Sequence, residues 1–178
     1  MLSCVCLVVL TFTLIHRGHF RESGAMVIHA LVIMKEEIIK DEENDLHAYN
    51  SLENSFVEGT WNCEFADEVK PSGSDIILSN NRISFSAFRG TKLKDIVEIR
   101  GITSLFVMGF LSNVCVEETT IEARELFPDM KIYVCSDGCA AKSKQVRCDI
   151  LSFVLEYAFC SCLNKLRFIF AGTLCCHG

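Results

Sequence analysis

The residues whose types and spacing could do chemistry lie in one stretch, Phe106 to Arg124, FVMGFLSNVCVEETTIEAR. An apolar run there meets a short turn, Leu111-Ser112-Asn113, and a helical pattern starts near Cys115. A cysteine so placed sits at the carboxyl end of a strand and at a helix N-terminus. Unpaired amides and the helix dipole at that end favour a thiolate. The same amides can stabilise an oxyanion, so the chemistry on offer is nucleophilic attack on a polarised carbon. A buried structural cysteine is the competing reading of the same residue.

The other ten of the eleven cysteines offer less. Their odd total in a chain of 178 residues does not suit a small disulfide scaffold, and most read as reduced, small apolar residues. No C-x-x-C occurs. The terminal group Cys160, Cys162, Cys175, Cys176 and His177 has a spacing that matches no usual zinc pattern, so neither metal nor cofactor is expected.

The elements that must position Cys115 can be read on either side of it. Ala25 to Ile33 (AMVIHALVI), Asp75 to Leu78, Leu105 to Phe110 and Ile132 to Cys135 are short apolar runs. Thr91 to Arg100 has Leu93, Ile96 and Val97 on one helical face, with Thr91 as N-cap and Gly101 as the stop. Glu117 to Phe127 carries a stripe of Val116, Thr120, Ala123 and Phe127. Strands apolar on both faces, separated by helices, predict a parallel sheet in a three-layer α/β/α fold. In such a sheet the carboxyl ends of the strands build the site.

Composition bounds the function. Half the residues are apolar and the mean hydropathy is +0.30, which allows a sizeable core in one domain. Seventeen Lys and Arg against 23 Asp and Glu give a net charge of −6, which disfavours nucleic acid and anionic lipid as partners. A small-molecule substrate fits better, and an apolar tail is compatible with a homo-oligomer. Residues 1–20 and 146–178 differ from the middle. Met1 to Ile15 has no charged side chain, but it is shorter than the ~20 residues of a membrane span and lacks a basic leader. The expectation is a cytoplasmic protein, with secretion or tethering through residues 1–15 as the alternative. The segment from Lys35 to Asp67 is acidic and reads as an exposed excursion. From Val146 onward the pattern degrades, although Leu151, Val154, Leu155, Ala158 and Phe159 keep helical spacing.

GFLSNVCVEETTIEAR resembles the nucleophile motif of the isochorismatase-like cysteine hydrolases. Phe88-Arg89-Gly90-Thr91-Lys92-Leu93 is similar to that family's Phe-x-Gly-Thr-x-Leu, and Gly59-Thr60-Trp61 to a Gly-Thr-Trp segment of one branch. RESGAMVIHA resembles its second strand with the preceding helix end, and YVCSDGCAA its strand and Asp-containing turn after the nucleophile helix. The likeness runs from about Arg21 to Gln145, which sets a hydrolase domain at 21–145 between an atypical apolar N-terminus and an atypical Cys-rich tail. It implies Rossmann-type layering, altered or truncated at both ends. It also implies an Asp–Lys–Cys site that cleaves an amide-like bond through a covalent intermediate. Cys115 then takes the nucleophile's place. The oxyanion site falls at Phe110, Leu111 and Val114, with a cis peptide at Phe110–Leu111. Trp61, Phe88, Ser112 and Asn113 fall on the substrate side.

The chain departs from the family at the other two catalytic positions. The family's Asp ends its first strand, whereas the first acidic residue here is Glu22, in the helix before the second strand. Counting to the Lys position from Phe88 reaches Arg82, and counting from Asp75 reaches Asn81. Arg82 keeps a charge but not a titratable amine, and Asn81 keeps neither. The resemblance therefore implies an impaired hydrolase, or an inactive member serving as a binding scaffold. The abruptness of both terminal departures suggests an alternative coding start and, near Gln145-Val146-Arg147, a retained intron or frameshift, which transcript sequencing tests.

Overall fold

The computed structural model describes residues 4–9, 20–33, 35, 56–65, 67, 70–78, 84–141, 143 and 157–161. Its described elements are β1 (Cys4–Val9), β2 (Met26–Ala30), β3 (Ile76–Leu78), α1 (Leu93–Ile99), β4 (Ser104–Phe110), α2 (Glu117–Leu126), β5 (Lys131–Ala140) and β6 (Phe159–Ser161). The six strands form one sheet in the order β3-β2-β1-β4-β5-β6. Every neighbouring pair is parallel.

This is the doubly wound order, with a switch of direction between β1 and β4. Right-handed crossovers from β1 leftward to β2 and from β4 rightward to β5 place the intervening helices on opposite faces. Contacts on one face agree. Phe20, in the helical turn that ends at Glu22, packs on Phe106 with ring centroids 5.2 Å apart. Phe106 in turn stacks on its register partner Tyr133 at 4.7 Å. On β4, Leu105, Phe106, Val107 and Met108 are all buried, so both faces of this strand lie in the core.

Lys92 rather than the expected Thr91 takes the N-cap position of α1, and Thr91 precedes it by one residue. Thr91 Oγ1 accepts the Leu93 N–H at 3.0 Å and donates to the Ala87 carbonyl at 2.6 Å. Leu93 and Val97 are buried, and Gly101 at φ 59° closes α1 while Ile102 N–H reaches the Val97 carbonyl at 3.0 Å. On α2 the buried stripe is Val116, Thr119, Thr120 and Ala123.

Residues 4–9 form a strand between β2 and β4. Two sequence expectations need correction. The strand at Ile132 continues through the expected turn to Ala140. A register shift absorbs the extra residues: Val107 pairs with Val134, but Gly109 pairs with Cys139. Gly138 allows this, since a Cβ there would lie 3.0 Å from Met108 Cβ. Finally, Phe159 belongs to a parallel edge strand rather than to a helix, and residues 151–156 lie outside the described residues. Among the described residues no helix is long and apolar enough to cross a membrane.

Candidate active site

The carboxyl end of β4 is built for a tight change of direction. The Phe110–Leu111 peptide, the bond marked by the sequence resemblance, is cis. A wide π-helical turn follows over Ser112–Val116 and leads into α2. The Leu111 carbonyl accepts from both Val114 N–H and Val116 N–H at 3.2 Å, and Glu117 N–H reaches back to the Ser112 carbonyl. Bonds that skip five residues widen the turn, a feature common at functional sites. Ser112, fully buried, ties the turn to β5 by donating to the Ala140 carbonyl at 2.8 Å. Val114, one of the expected oxyanion residues, directs its N–H to the Leu111 carbonyl. The Asn113 side-chain oxygen is buried without a hydrogen-bond partner.

Cys115 is 5 % exposed and is in no disulfide. It opens on a cavity of about 40 Å³ whose described walls are Val32, Phe56, Phe85, Phe110, Leu111 and Val114. Val32 comes from just past β2, Phe85 from the segment before α1, and the last three from the β4 end. The cavity thus collects residues from the carboxyl ends of β2 and β4 and from the segment before α1. The β1 backbone runs alongside, with Val9 in register with Gly109.

The segment around Phe88 is held against the nucleophile helix. Thr119 Oγ1 accepts the Ala87 N–H at 3.0 Å, and Arg89 pairs with Glu122 at 3.4 Å. Phe88 itself is 5 % exposed and packs on Phe127 with centroids 6.0 Å apart. It wedges the segment in place, and Phe85, three residues earlier, supplies the wall of the cavity. Trp61 is 83 % exposed and is not part of the described wall. Arg82 and Asn81 lie outside the described residues.

The electrostatics at the helix start pull two ways. The end of the helix dipole favours a thiolate, but Glu117 and Glu118 occupy the first turn of α2. Burial pushes the Glu117 carboxyl above the ordinary glutamate value. Among the described residues no group of His, Cys, Asp and Glu is arranged to hold a metal.

A second polar cluster was not anticipated. Asp75, at the start of β3, receives Arg21 through Nε at 2.9 Å and through Nη2, His29 Nε2 at 2.8 Å and the Ser72 N–H at 3.1 Å. The Asp75 and His29 side chains are each only 1 % exposed. Burial alone would raise the Asp75 carboxyl, but the hydrogen bonds from Arg21, His29 and Ser72 and the Arg21 charge outweigh it and hold the group well below the usual carboxylate range. This cluster locks the helix end before β2 to the entry of β3.

The fold and the strand–turn–helix site define an α/β protein with a cysteine at the switch point of a parallel sheet. The family model described as "Isochorismatase domain" matches residues 14–149. The chain belongs to the isochorismatase family. It is 39% identical over 61 residues to a ureidoacrylate amidohydrolase of Acinetobacter baylyi, covering 34% of this chain and 24% of that protein. It is 32% identical over 110 residues to a nicotinamidase of Schizosaccharomyces pombe, covering 56% of this chain and 49% of that one. The chain thus spans about a quarter to a half of the length of these relatives. An isochorismatase family protein from Desulfovibrio vulgaris has the same fold, with a TM-score of 0.78 at 21% identity, covering 94% of this chain and 98% of that one.

Proposed function

We propose that this chain is a cysteine hydrolase of small amides, with Cys115 as nucleophile and with slow turnover. One observation carries the reading: a thiol just past the carboxyl end of β4 lines an apolar cavity near the switch point of the sheet. An amidohydrolase and a nicotinamidase among the relatives support an amide-type C–N bond as the target.

The reaction divides into two steps. The Cys115 sulfur attacks the amide carbon, the C–S bond forms, and the C–N bond breaks as the nitrogen gains a proton and leaves as ammonia or an amine. Water then adds to the thioester, giving a carboxylic acid and the free thiol. Amides near the Ser112–Val116 turn polarise the carbonyl oxygen. Proton transfer is the weak part. The first acidic residue of the sequence, Glu22, lies beyond β1, and losing a proton-transfer partner costs about 10²–10⁴ in rate. Arg82 can hold an anion but cannot shuttle protons near neutral pH.

That missing carboxylate also favours a second reading, a family member that binds a small molecule without turnover. Purified protein, incubated with a panel of neutral amides, separates the two. Slow release of ammonia that is abolished by Cys115→Ala supports the hydrolase. Binding of the same amides with no release and no acyl adduct by intact-mass spectrometry supports the binder.

A further inference from the structure

Phe56 has a feature that no other described wall of the Cys115 cavity shares. It is the only non-glycine among the described residues with a positive φ, at 65°. A bulky residue adopts that backbone only where its surroundings over-determine it. The following turn does so. The Val57 carbonyl accepts from Thr60 N–H at 3.1 Å, from Thr60 Oγ1 at 2.7 Å and from Cys63 Sγ at 3.0 Å. Gly59, at φ 80°, supplies the left-handed residue inside that turn. The Gly59-Thr60-Trp61 segment therefore acts as a clamp behind Phe56, while Trp61 points to solvent.

The geometry points to Phe56 as a specificity-determining residue that closes the Cys115 cavity and limits it to compact, uncharged, apolar acyl groups. This rests on Cys115 being the nucleophile. The cavity of about 40 Å³ has room for about three water-sized groups. Its described walls are phenylalanine, valine and leucine side chains. A carboxylate entering it would exchange hydration for apolar contacts, whereas each buried methylene improves binding roughly fourfold. Aliphatic amides of acetyl to isobutyryl size fit these terms, and amides carrying a carboxylate on the acyl chain do not.

The test needs no turnover. The full chain is alkylated with iodoacetamide, which is neutral, and with iodoacetate, which is anionic; each transfers its methylene carbon to sulfur with loss of iodide. High salt screens the net negative charge of the protein. Rates are read on the Cys115 peptide by mass spectrometry and normalised to the urea-unfolded chain. The expected preference for the neutral reagent is at least tenfold larger in the folded chain. N-benzyl iodoacetamide should react poorly with the wild type. Phe56→Gly, which suits the positive φ, should speed it at least tenfold relative to iodoacetamide, with Phe56→Leu between. Equal neutral and anionic rates, or an unchanged size preference in Phe56→Gly, overturn the assignment and leave Cys115 as nucleophile. A folded Cys115 inert to every reagent overturns the nucleophile and this assignment with it.

Discussion

Replacing Asp75 with Ala should destabilise the protein more than any other single change in its polar core. The Asp75 carboxylate accepts five hydrogen bonds, two from Arg21, one from His29 and two from Ser72 through its amide and its hydroxyl. His29 Nε2 must carry its proton to donate to a carboxylate, and with the side chain 1 % exposed no solvent replaces that acceptor. Arg21 is 26 % exposed and recovers part of its hydration. Breaking a buried pair costs about 3–5 kcal/mol, and the exposure of Arg21 puts Asp75→Ala near the lower end, about 3 kcal/mol. For a chain of this length that is a fall in Tm of roughly 6–12 °C. Asp75→Asn, which keeps one acceptor, should lose about 2 kcal/mol. The assay is urea unfolding, with the midpoint shifted and the m-value unchanged. The pH dependence has a definite sign. The folded carboxyl lies below the ordinary value of 3.8, so the native state binds fewer protons than the unfolded state. The stabilisation is complete above about pH 5 and is lost as pH falls through 4 toward the depressed folded value. The gap between wild type and Asp75→Asn must therefore close on acidification. An unchanged midpoint in Asp75→Ala, or a gap that widens below pH 4, would refute this account of the cluster.

Other expectations follow from single contacts. Thr119→Val leaves the buried Ala87 N–H without its acceptor and should cost about 1–3 kcal/mol, measured by thermal unfolding, while also lowering Cys115 alkylation because Phe85 shifts with the segment. Gly138→Ala places a methyl 3.0 Å from Met108 Cβ and should cost about 1–3 kcal/mol, whereas Gly73→Ala, with nothing near it, should be close to neutral. An Asp just past the end of β1, as Leu10→Asp or Thr11→Asp, should raise amide turnover by about 10² if the missing carboxylate is what limits the rate. No gain from either, in variants that still fold, would place the limitation elsewhere.

The parts of this structure legible in the sequence are those that repeat a local pattern. Leu105 to Met108 is apolar without interruption because β4 is buried on both faces, and that run announced the strand. Thr91 and Gly101 marked α1 because a hydroxyl and a positive φ are what helix ends need. The length of β5 was not legible, because a register shift makes a strand look like a turn: Ser136-Asp137-Gly138 has turn composition and still lies in the sheet. Cys115 was singled out by its position after a strand. Its cavity was not, because Val32, Phe56 and Phe85 share no spacing with it and meet it only through topology. Family resemblance pointed to Phe88 and Trp61; Phe88 is buried against Phe127 and Trp61 is exposed. The long-range part of the Asp75 cluster had no sequence signal, since His29 and Arg21 lie 46 and 54 positions away and only Ser72 is local.

The topology also separates two demands that a hydrolase normally meets together. Attack requires a thiol held near backbone donors, and this depends on β4, the cis peptide, the wide turn and α2, all contiguous from Ser104 to Leu126. Turnover requires an acid and a base, and in a sheet of this order they must come from neighbouring strand ends. β1 fills the central place beside β4 in full register, from Cys4 opposite Ser104 to Val9 opposite Gly109. Any apolar run with strand character can satisfy that role, because the pairing is made by backbone groups. The sheet therefore tolerates a first strand with no carboxylate directly after it. On the reading proposed above, a chain built this way keeps the fold, the cavity and the thiol, and turns over slowly because the step that returns the thiol lacks its proton-transfer partner. Its acyl-enzyme, once formed, should persist, and acylation of Cys115 outlasting the release of the first equivalent of amine is the kinetic mark of that division.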